Sequence, residues 1–271
     1  FPIPSDLNID ADGDGYVDNF IGWDLGSGDN NPSFDGSGNE HGLWVAGLAA
    51  PSTNNGKGIA GVGYKAKLLP IKISNSSGVL VSAYEGIVYA ADHGCNIINC
   101  SWGSSVGRGQ WGQDIITYAT INKGALVVAS NGIDGPFGTE TYPASYYYAM
   151  SVNATTATDV KWSRCNYGIN VDISVPGENM YTTIKNNSYY GTNITATSFA
   201  SPVVSAAAAL VKSRFPNYGP LQIAEQLRIT SDNIDSVAGN EAYAGYMGLG
   251  RLNVYRAVTE DWHPGMKLTS V

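Results

Sequence analysis

Cysteine and charged side chains are both scarce in this sequence. Only 14% of the 271 residues are charged, and the chain has three cysteines, with no Cys-x-x-Cys pair and no His/Cys spacing typical of a zinc site. Cys95 and Cys100 flank one apolar run, which as an extended strand would hold them too far apart to bridge. The composition therefore argues against a zinc-stapled or disulfide-framed fold. We expect small buried hydrophobic cysteines, with one bridge to Cys165 left open.

Long apolar runs and basic clusters are also missing. No run reaches the length of a membrane span. The 15 Lys and Arg residues stand against 23 Asp and Glu, for a net charge of −8, which excludes binding of nucleic acid through a basic patch. No internal repeat, low-complexity tract or linker occurs, so we expect residues 1–271 to form one domain.

The chain does have a large apolar fraction, 43%, arranged as alternating strand and helix patterns. Near-continuous apolar runs indicate strands covered on both faces. Their alternation with helices predicts an α/β fold, with a mostly parallel central sheet flanked by helices. The predicted strands are 67–73, 96–102, 125–130, 148–154 and 171–175, and the predicted helices are 41–50, 83–92, 111–123 and 220–230.

Two of these strands end in polar and glycine residues. The strand at 96–102 ends in a Ser-Trp-Gly segment, and the strand at 125–130 runs into Ser-Asn-Gly. Sites in parallel sheets lie beyond the carboxyl ends of the strands, so both segments are candidate binding segments. The residues concerned are Ser101, Trp102, Gly103, Ser130, Asn131 and Gly132.

Two further polar residues stand at the starts of predicted helices. Ser198 opens an apolar segment that stops at Pro216, with Pro202 placed in the first turn, where a missing N–H costs little. His41 opens a helix of small and apolar residues. Taken singly, Ser198 fits a helix N-cap and His41 a packing residue. Together with Asn131 they supply a hydroxyl nucleophile, a base and an oxyanion donor.

An acidic loop precedes His41. Asp10, Asp12, Asp14 and Asp18 place carboxylates at relative positions 1, 3, 5 and 9, with glycines that allow a tight wrap. Oxygen ligands in this pattern suit calcium. The bidentate acid of a true EF-hand is missing at the twelfth position. We predict a structural Ca²⁺ in an EF-like loop, and the alternative is a solvated acidic turn.

Several motifs resemble those of the subtilisin-like serine proteases, or subtilases. The family's His-Gly-Thr-His-Val-Ala-Gly is similar to His-Gly-Leu-Trp-Val-Ala-Gly at 41–47. Its Gly-Thr-Ser-Met-Ala-x-Pro is similar to Ala-Thr-Ser-Phe-Ala-Ser-Pro at 196–202. Segments 126–131 and 98–103 are similar to the strand before the family's oxyanion asparagine and to its substrate-binding segment. The resemblance covers about residues 8–258 and extends to the acidic loop before the histidine motif, a feature of secreted bacterial members.

The resemblance implies a three-layer subtilisin-like fold and a secreted endopeptidase that hydrolyses peptide bonds through an acyl-enzyme. Ser198 would be the nucleophile, His41 the general base, and Asn131 a donor in the oxyanion hole. The segments that follow the two strands would pair with an extended protein or peptide substrate through backbone hydrogen bonds.

The sequence also departs from the family pattern. The family's catalytic Asp lies on an early apolar strand that ends in Asp-Thr/Ser-Gly, and no such strand precedes the acidic loop. Leu43 and Trp44 replace Thr and His, and Ala196 replaces Gly. Without that strand its neighbours would expose apolar edges. We therefore expect an additional upstream segment, attached or retained after a nick near Phe1, that supplies the strand and the Asp.

Two other functions remain as alternatives. A catalytically impaired subtilase-like protein would act in binding or as a scaffold, a reading favoured by the altered motifs and the missing Asp strand. A different hydrolase, such as an esterase, is disfavoured because the sequence has no Gly-x-Ser-x-Gly elbow.

Overall fold

The structure, a computed structural model, describes residues 9–10, 12–33, 40–106, 108–186, 188–190 and 194–262. Strands and helices alternate through its middle, as predicted. The strands are β1 (Trp23–Asp24), β2 (Ile71–Lys72), β3 (Ile97–Cys100), β4 (Leu126–Ser130), β5 (Ala149–Thr155), β6 (Ile173–Pro176), β7 (Thr182–Ile184) and β8 (Ser188–Tyr190). The α-helices are α1 (His41–Ala49), α2 (Ala83–Asp92), α3 (Gln110–Thr117), α4 (Thr197–Arg214), α5 (Pro220–Ile229) and α6 (Val254–Thr259).

The central sheet consists of β3, β4, β5 and β6 in that order, with every pair parallel. Every residue of β4 is buried. Such burial requires a layer of helices on each face, which is why this strand is an unbroken run of apolar and small residues. The pairing confirms the predicted α/β class with a mostly parallel sheet.

The two faces of β4 belong to different cores. Val128 lies in a cluster with Val204 of α4 and Leu227 of α5. Val127 points the other way, into a cluster with Ile87 of α2 and Ile116 of α3. Alternate residues of a strand face opposite sides of a sheet, so this division gives the three layers that the sequence predicted.

Some elements differ from the sequence-based expectation. The strand predicted at 67–73 contracts to β2, which pairs in parallel with β1 in a separate two-stranded sheet. The predicted helix at 111–123 becomes α3 followed by a π-helical turn at Tyr118–Asn122. The antiparallel hairpin of β7 and β8 was not predicted, because short strands carry a weak periodic signal.

The position of Pro202 is a further correction. Because α4 begins at Thr197, Pro202 lies in its second turn rather than its first. At that position the missing N–H removes a hydrogen bond that the helix would otherwise form.

The cysteines are free thiols, so the bridge that the sequence left open is not formed. Cys100 and Cys165 are buried in different clusters, on opposite sides of the sheet. Burial raises the pKa of Cys100 to about 12, which keeps it a neutral packing residue. Within the described ranges, every helix is too short or too polar to cross a lipid bilayer.

Candidate active site

The two strand-end segments and the start of α4 meet at the carboxyl edge of the sheet. The Ser101 hydroxyl donates a hydrogen bond to the Ser198 carbonyl oxygen at 2.7 Å. The Thr197 hydroxyl donates to the Gly132 carbonyl oxygen at 3.4 Å. The residue after β3 and the loop after β4 are thus both tied to the first turn of α4, which carries the half-buried Ser198.

His41, the first residue of α1, lies beside this turn. Its ring centroid is 5.4 Å from that of Phe199, the residue that follows Ser198. The side chain is largely removed from water, and this loss of hydration lowers the pKa of His41 from its usual 6.5. The neutral imidazole, which is the form that accepts a proton, therefore persists to lower pH.

The β7–β8 hairpin holds α1 in place. The Thr182 hydroxyl donates to the Trp44 carbonyl oxygen at 2.6 Å, and the Thr183 hydroxyl donates to the Leu43 carbonyl oxygen at 3.3 Å. The hairpin can lie this close to α1 because Gly47 has no side chain. A Cβ at Gly47 would lie 2.1 Å from Thr183 Oγ1. The two positions that depart from the family's histidine motif therefore serve as backbone acceptors for the hairpin.

Asn131 is fully buried at the end of β4, and its amide group is held in one orientation. Its Oδ1 accepts hydrogen bonds from Ser151 Oγ at 3.3 Å and from Asn170 Nδ2 at 3.1 Å. Asn166 Nδ2 donates to its backbone carbonyl oxygen at 2.9 Å. Its own Nδ2 is buried and has no hydrogen-bond partner among the described residues. Leaving such a donor unsatisfied is costly, so this position in the described part of the chain calls for an explanation.

Sequence reasoning missed the three side chains that orient Asn131. Ser151 lies inside β5, and Asn166 and Asn170 lie in the loop before β6. None of them stands in a motif or at a strand end. The pairing of β5 with β4 brings Ser151 to Asn131, and a backbone hydrogen bond of 3.2 Å from Asn166 N–H to the Gly132 carbonyl oxygen brings the loop before β6 there.

The remaining strand-end residues form the wall beside Ser198. Ser101 and Ser130 are buried, Trp102 is half-buried against Tyr84 with ring centroids 5.4 Å apart, and Gly103 is exposed. The segment that follows continues this wall, because the Ser104 and Tyr142 backbones exchange two hydrogen bonds of 3.0 and 2.9 Å.

Both glycines of the predicted binding segments pack against one buried side chain. A Cβ on Gly103 would lie 2.6 Å from Thr141 Cγ2, and a Cβ on Gly132 would lie 2.7 Å from Thr141 Oγ1. Gly132 also has a φ of +85°, a conformation that L side chains rarely adopt. The absence of side chains at these two positions lets the two segments close around Thr141.

The acidic loop gathers three of its four predicted ligands. Carboxylate oxygens of Asp10, Asp12 and Asp14 lie within 4.8 Å of one another. The Asp10 carboxylate accepts backbone N–H bonds from Gly13 and Gly15 at 2.7 and 2.8 Å, which wraps the loop around it. Asp18 stands outside this cluster.

The loop docks at the far end of α2. Asp14 Oδ2 lies 2.7 Å from His93 Nε2 and accepts a hydrogen bond from Asn19 Nδ2 at 3.0 Å. Partial burial raises the pKa of Asp14, but hydrogen bonds from Tyr16 N–H, His93 and Asn19 outweigh that effect and leave the pKa below its usual 3.8. Because α2 ends just before β3 begins, the loop lies at the amino edge of the sheet, opposite Ser198.

Comparisons with known proteins identify the family and the fold of the chain. The sequence profile of the subtilase family matches residues 9–250. Thermitase of Thermoactinomyces vulgaris is 36% identical over 240 residues, which cover 88% of this chain and 80% of thermitase. The cell wall-associated protease of Bacillus subtilis is 36% identical over 253 residues, 86% of this chain but only 27% of that protein. A solved protease structure from Pseudoalteromonas arctica superimposes with a TM-score of 0.73 at 26% identity, covering 81% of this chain and 70% of the other.

The parallel sheet, the helix layers and these relatives define the class of serine endopeptidases. More specifically, the chain belongs to the subtilase family.

The contacts of Gly132 lead to a prediction with a matched control. Gly132 and Gly138 both have positive φ, +85° and +75°, but a Cβ on Gly138 would meet nothing within 4 Å. Gly132→Ala adds a clash with the buried Thr141, so we expect it to cost about 1–3 kcal/mol more than Gly138→Ala in urea unfolding. Equal losses in the two variants would contradict the close packing described for Gly132.

Proposed function

We propose that residues 1–271 form a single catalytic domain that hydrolyses peptide bonds through an acyl-enzyme on Ser198. The observation that carries this proposal is that the segment after β3 and the loop after β4 both hydrogen-bond to the first turn of α4, which carries Ser198. In the second of these segments, Asn131 Nδ2 is buried and has no hydrogen-bond partner among the described residues. A buried donor that nothing in the described part of the chain satisfies is suited to a negative charge that forms only during reaction.

The proposed roles follow the resemblance of the motifs at Ser198, His41 and Asn131 to those of the subtilase family. Ser198 attacks the substrate carbonyl, and His41 accepts its proton and then protonates the leaving amine. As the second residue of α4, Ser198 has a backbone N–H with no acceptor inside the helix. That N–H and Asn131 Nδ2 would hold the oxyanion together.

A peptide substrate would bind as an extended strand along the wall beside Ser198. The backbones of Ser101, Trp102 and Gly103 would form the hydrogen bonds to substrate, and Ser130 and Gly132 would line the opposite side of the bound strand. Because these are backbone contacts, protein and peptide substrates of varied sequence would bind in the same way.

The carboxylate that orients His41 is proposed to come from a strand outside the described residues. Within those residues β3 pairs only with β4, and β2 pairs only with β1. Half-buried Ile71 of β2 packs against the core cluster that contains Ile98 and Cys100, and half-buried Ile97 of β3 packs against the cluster on the opposite face of the sheet. A further strand that paired with β3 would cover this edge and would bring its carboxyl end to the edge that holds His41 and Ser198.

A calcium ion is proposed for the acidic loop. Three clustered carboxylates with glycine turns between them are the oxygen-rich donor set that calcium prefers. Asp10, Asp12 and Asp14 would bind it directly, and Asp18 occupies the position that reaches the ion through water in an EF-type loop. The ion would neutralise the like charges and fix the loop against α2.

Secretion is the proposed location. It rests on relatives such as the cell wall-associated protease and on the acidic loop, because millimolar calcium outside cells suits a loop of this kind.

The first prediction from the proposed function concerns the nucleophile and the oxyanion donor. A fluorophosphonate probe is expected to label Ser198 in the active gene product, and Ser198→Ala should abolish labelling. Asn131→Ala should lower kcat about 10²–10³-fold, the loss known for the oxyanion-hole asparagine of a subtilisin. Labelling at another residue of an active sample would refute the assignment, and a folded sample without hydrolysis or labelling would favour a binding protein.

The second prediction concerns calcium. A ligand that binds only the folded state stabilises it by about 2.7 kcal/mol at a hundredfold excess over Kd. EDTA should therefore lower the Tm by roughly 5–10 °C. Asp12→Asn, a change at an exposed ligand, should remove the effect of EDTA. An unchanged melting curve, with no metal found by elemental analysis, would leave the solvated acidic turn as the better account.

The third prediction concerns the missing carboxylate. Denaturing mass spectrometry of active material is expected to show a longer chain or a companion peptide that contributes an apolar strand and an Asp. Replacement of that Asp by Asn should lower kcat roughly 10⁴-fold without unfolding the protein. A monomeric, well folded and fully active 271-residue chain with no companion peptide would rule the segment out.

A further inference from the structure

The proline in α4 leaves the nucleophile's carbonyl group without its normal partner. In an α-helix the carbonyl oxygen of residue i accepts the N–H of residue i+4. The residue four after Ser198 is Pro202, which has no N–H, and its ring pushes the carbonyl of Ser198 away from the helix axis. The Ser198 carbonyl therefore needs a donor from outside the helix.

Ser101 supplies that donor, and Asn99 controls it. Ser101 Oγ donates to the Ser198 carbonyl oxygen at 2.7 Å, and Asn99 Nδ2 donates to Ser101 Oγ at 2.9 Å. Asn99 Oδ1 in turn accepts hydrogen bonds from Ser201 Oγ at 2.8 Å and from Ser205 Oγ at 2.9 Å. The chain of hydrogen bonds starts and ends on α4 and passes through the end of β3.

The direction of these hydrogen bonds follows from which groups can donate and which can only accept. A carbonyl oxygen can only accept, so the single Ser101 hydroxyl proton goes to the Ser198 carbonyl, and Ser101 Oγ must accept from Asn99. The amide NH₂ of Asn99 therefore faces Ser101, and its oxygen accepts from Ser201 and Ser205. A serine hydroxyl rotates freely unless a neighbour sets it. Because Asn99 donates to Ser101 Oγ, the Ser101 proton is directed away from Asn99 and onto the Ser198 carbonyl.

We propose that Asn99 is a positioning residue for Ser198, acting through Ser101. It fixes the peptide group that follows the nucleophile and so holds the Ser198 hydroxyl and N–H in register with Asn131 Nδ2. The inference rests on the proposed role of Ser198 as nucleophile. It assigns to Ser101 a function besides backbone pairing with substrate, because its hydroxyl is committed to the catalytic turn.

Two substitutions separate this role from simple packing. Asn99→Leu removes the whole relay. Asn99→Asp keeps the size and the acceptor for Ser201 and Ser205, but its carboxylate has no proton to donate and would draw the Ser101 hydroxyl away from Ser198. Both variants of the active gene product should lower kcat and the rate of fluorophosphonate labelling about 10–100-fold, with KM nearly unchanged, because small misplacement of reacting groups has effects of that size.

Ser205→Ala is the matched control within the same network. It removes one of the two hydroxyl donors to Asn99 while Ser201 and the link to Ser101 remain. Its kcat should stay within about threefold of the wild-type value. If Asn99→Asp behaves like Ser205→Ala, the directed proton has no catalytic effect and the proposal is wrong.

Pro202→Ala provides a second and independent test. An alanine at 202 restores the N–H that the Ser198 carbonyl lacks, so Asn99→Leu should cost much less in this background than in the wild type. Equal losses in both backgrounds would overturn the proposal, as would a loss confined to KM. Asn99→Asp serves in the same comparison if Asn99→Leu fails to fold.

The role of Ser198 as nucleophile and the positioning role of Asn99 can be refuted separately. If the active wild-type protein is not labelled at Ser198, the proposed nucleophile is wrong. If Ser198 is labelled and the folded Asn99 variants react at the wild-type rate, the nucleophile stands and the positioning role of Asn99 is refuted.

Discussion

The complete burial of β4 is the constraint on which the rest of the structure depends. Its five residues are enclosed by helices on both faces and by neighbouring strands on both sides. Every backbone group of such a strand must be paired and every side chain packed. A polar side chain placed directly after this strand is consequently held by a rigid frame. Asn131 occupies that place, and its amide can be aimed with little freedom to move.

The same sheet places the proposed catalytic residues and the acidic loop at its two opposite edges. The carboxyl edge carries the ends of β3 and β4 and the first turn of α4, which together hold Ser198. The amino edge carries the acidic loop, which packs through Tyr16 and Asp14 against the end of α2. An ion bound at the amino edge would stabilise the packing of α2 without placing a positive charge beside the oxyanion. Calcium in this loop is thus a proposal about stability and not about catalysis.

Much of the fold was readable from sequence because its buried elements are long and regular. The helix at 83–92 has the predicted bounds, and strands β3 to β6 lie within a few residues of their predicted positions. Short elements were missed or misjudged: β2 is two residues long, and the β7–β8 hairpin has no strong pattern. Motifs pointed to Ser198, His41 and Asn131, and the structure brings the elements that carry them together. The residues that orient Asn131, such as Ser151 and Asn166, depend on packing between distant segments and have no local signal.

Two polar groups, the Ser198 carbonyl and the Asn131 side-chain amide, lack their usual hydrogen-bond partners, and they differ in whether another partner takes that place. Pro202 deprives the Ser198 carbonyl of its helical donor, and the structure replaces that donor through Ser101. The side-chain Nδ2 of Asn131 is also buried, and within the described residues it has no hydrogen-bond acceptor. A group that must stay fixed throughout a reaction benefits from a permanent hydrogen bond, because any freedom there would move Ser198, the proposed nucleophile. A group that must bind charge only at the transition state is better left open, since a ground-state partner would have to be displaced first. The contrast between the two groups therefore fits the roles that we propose for Ser198 and Asn131.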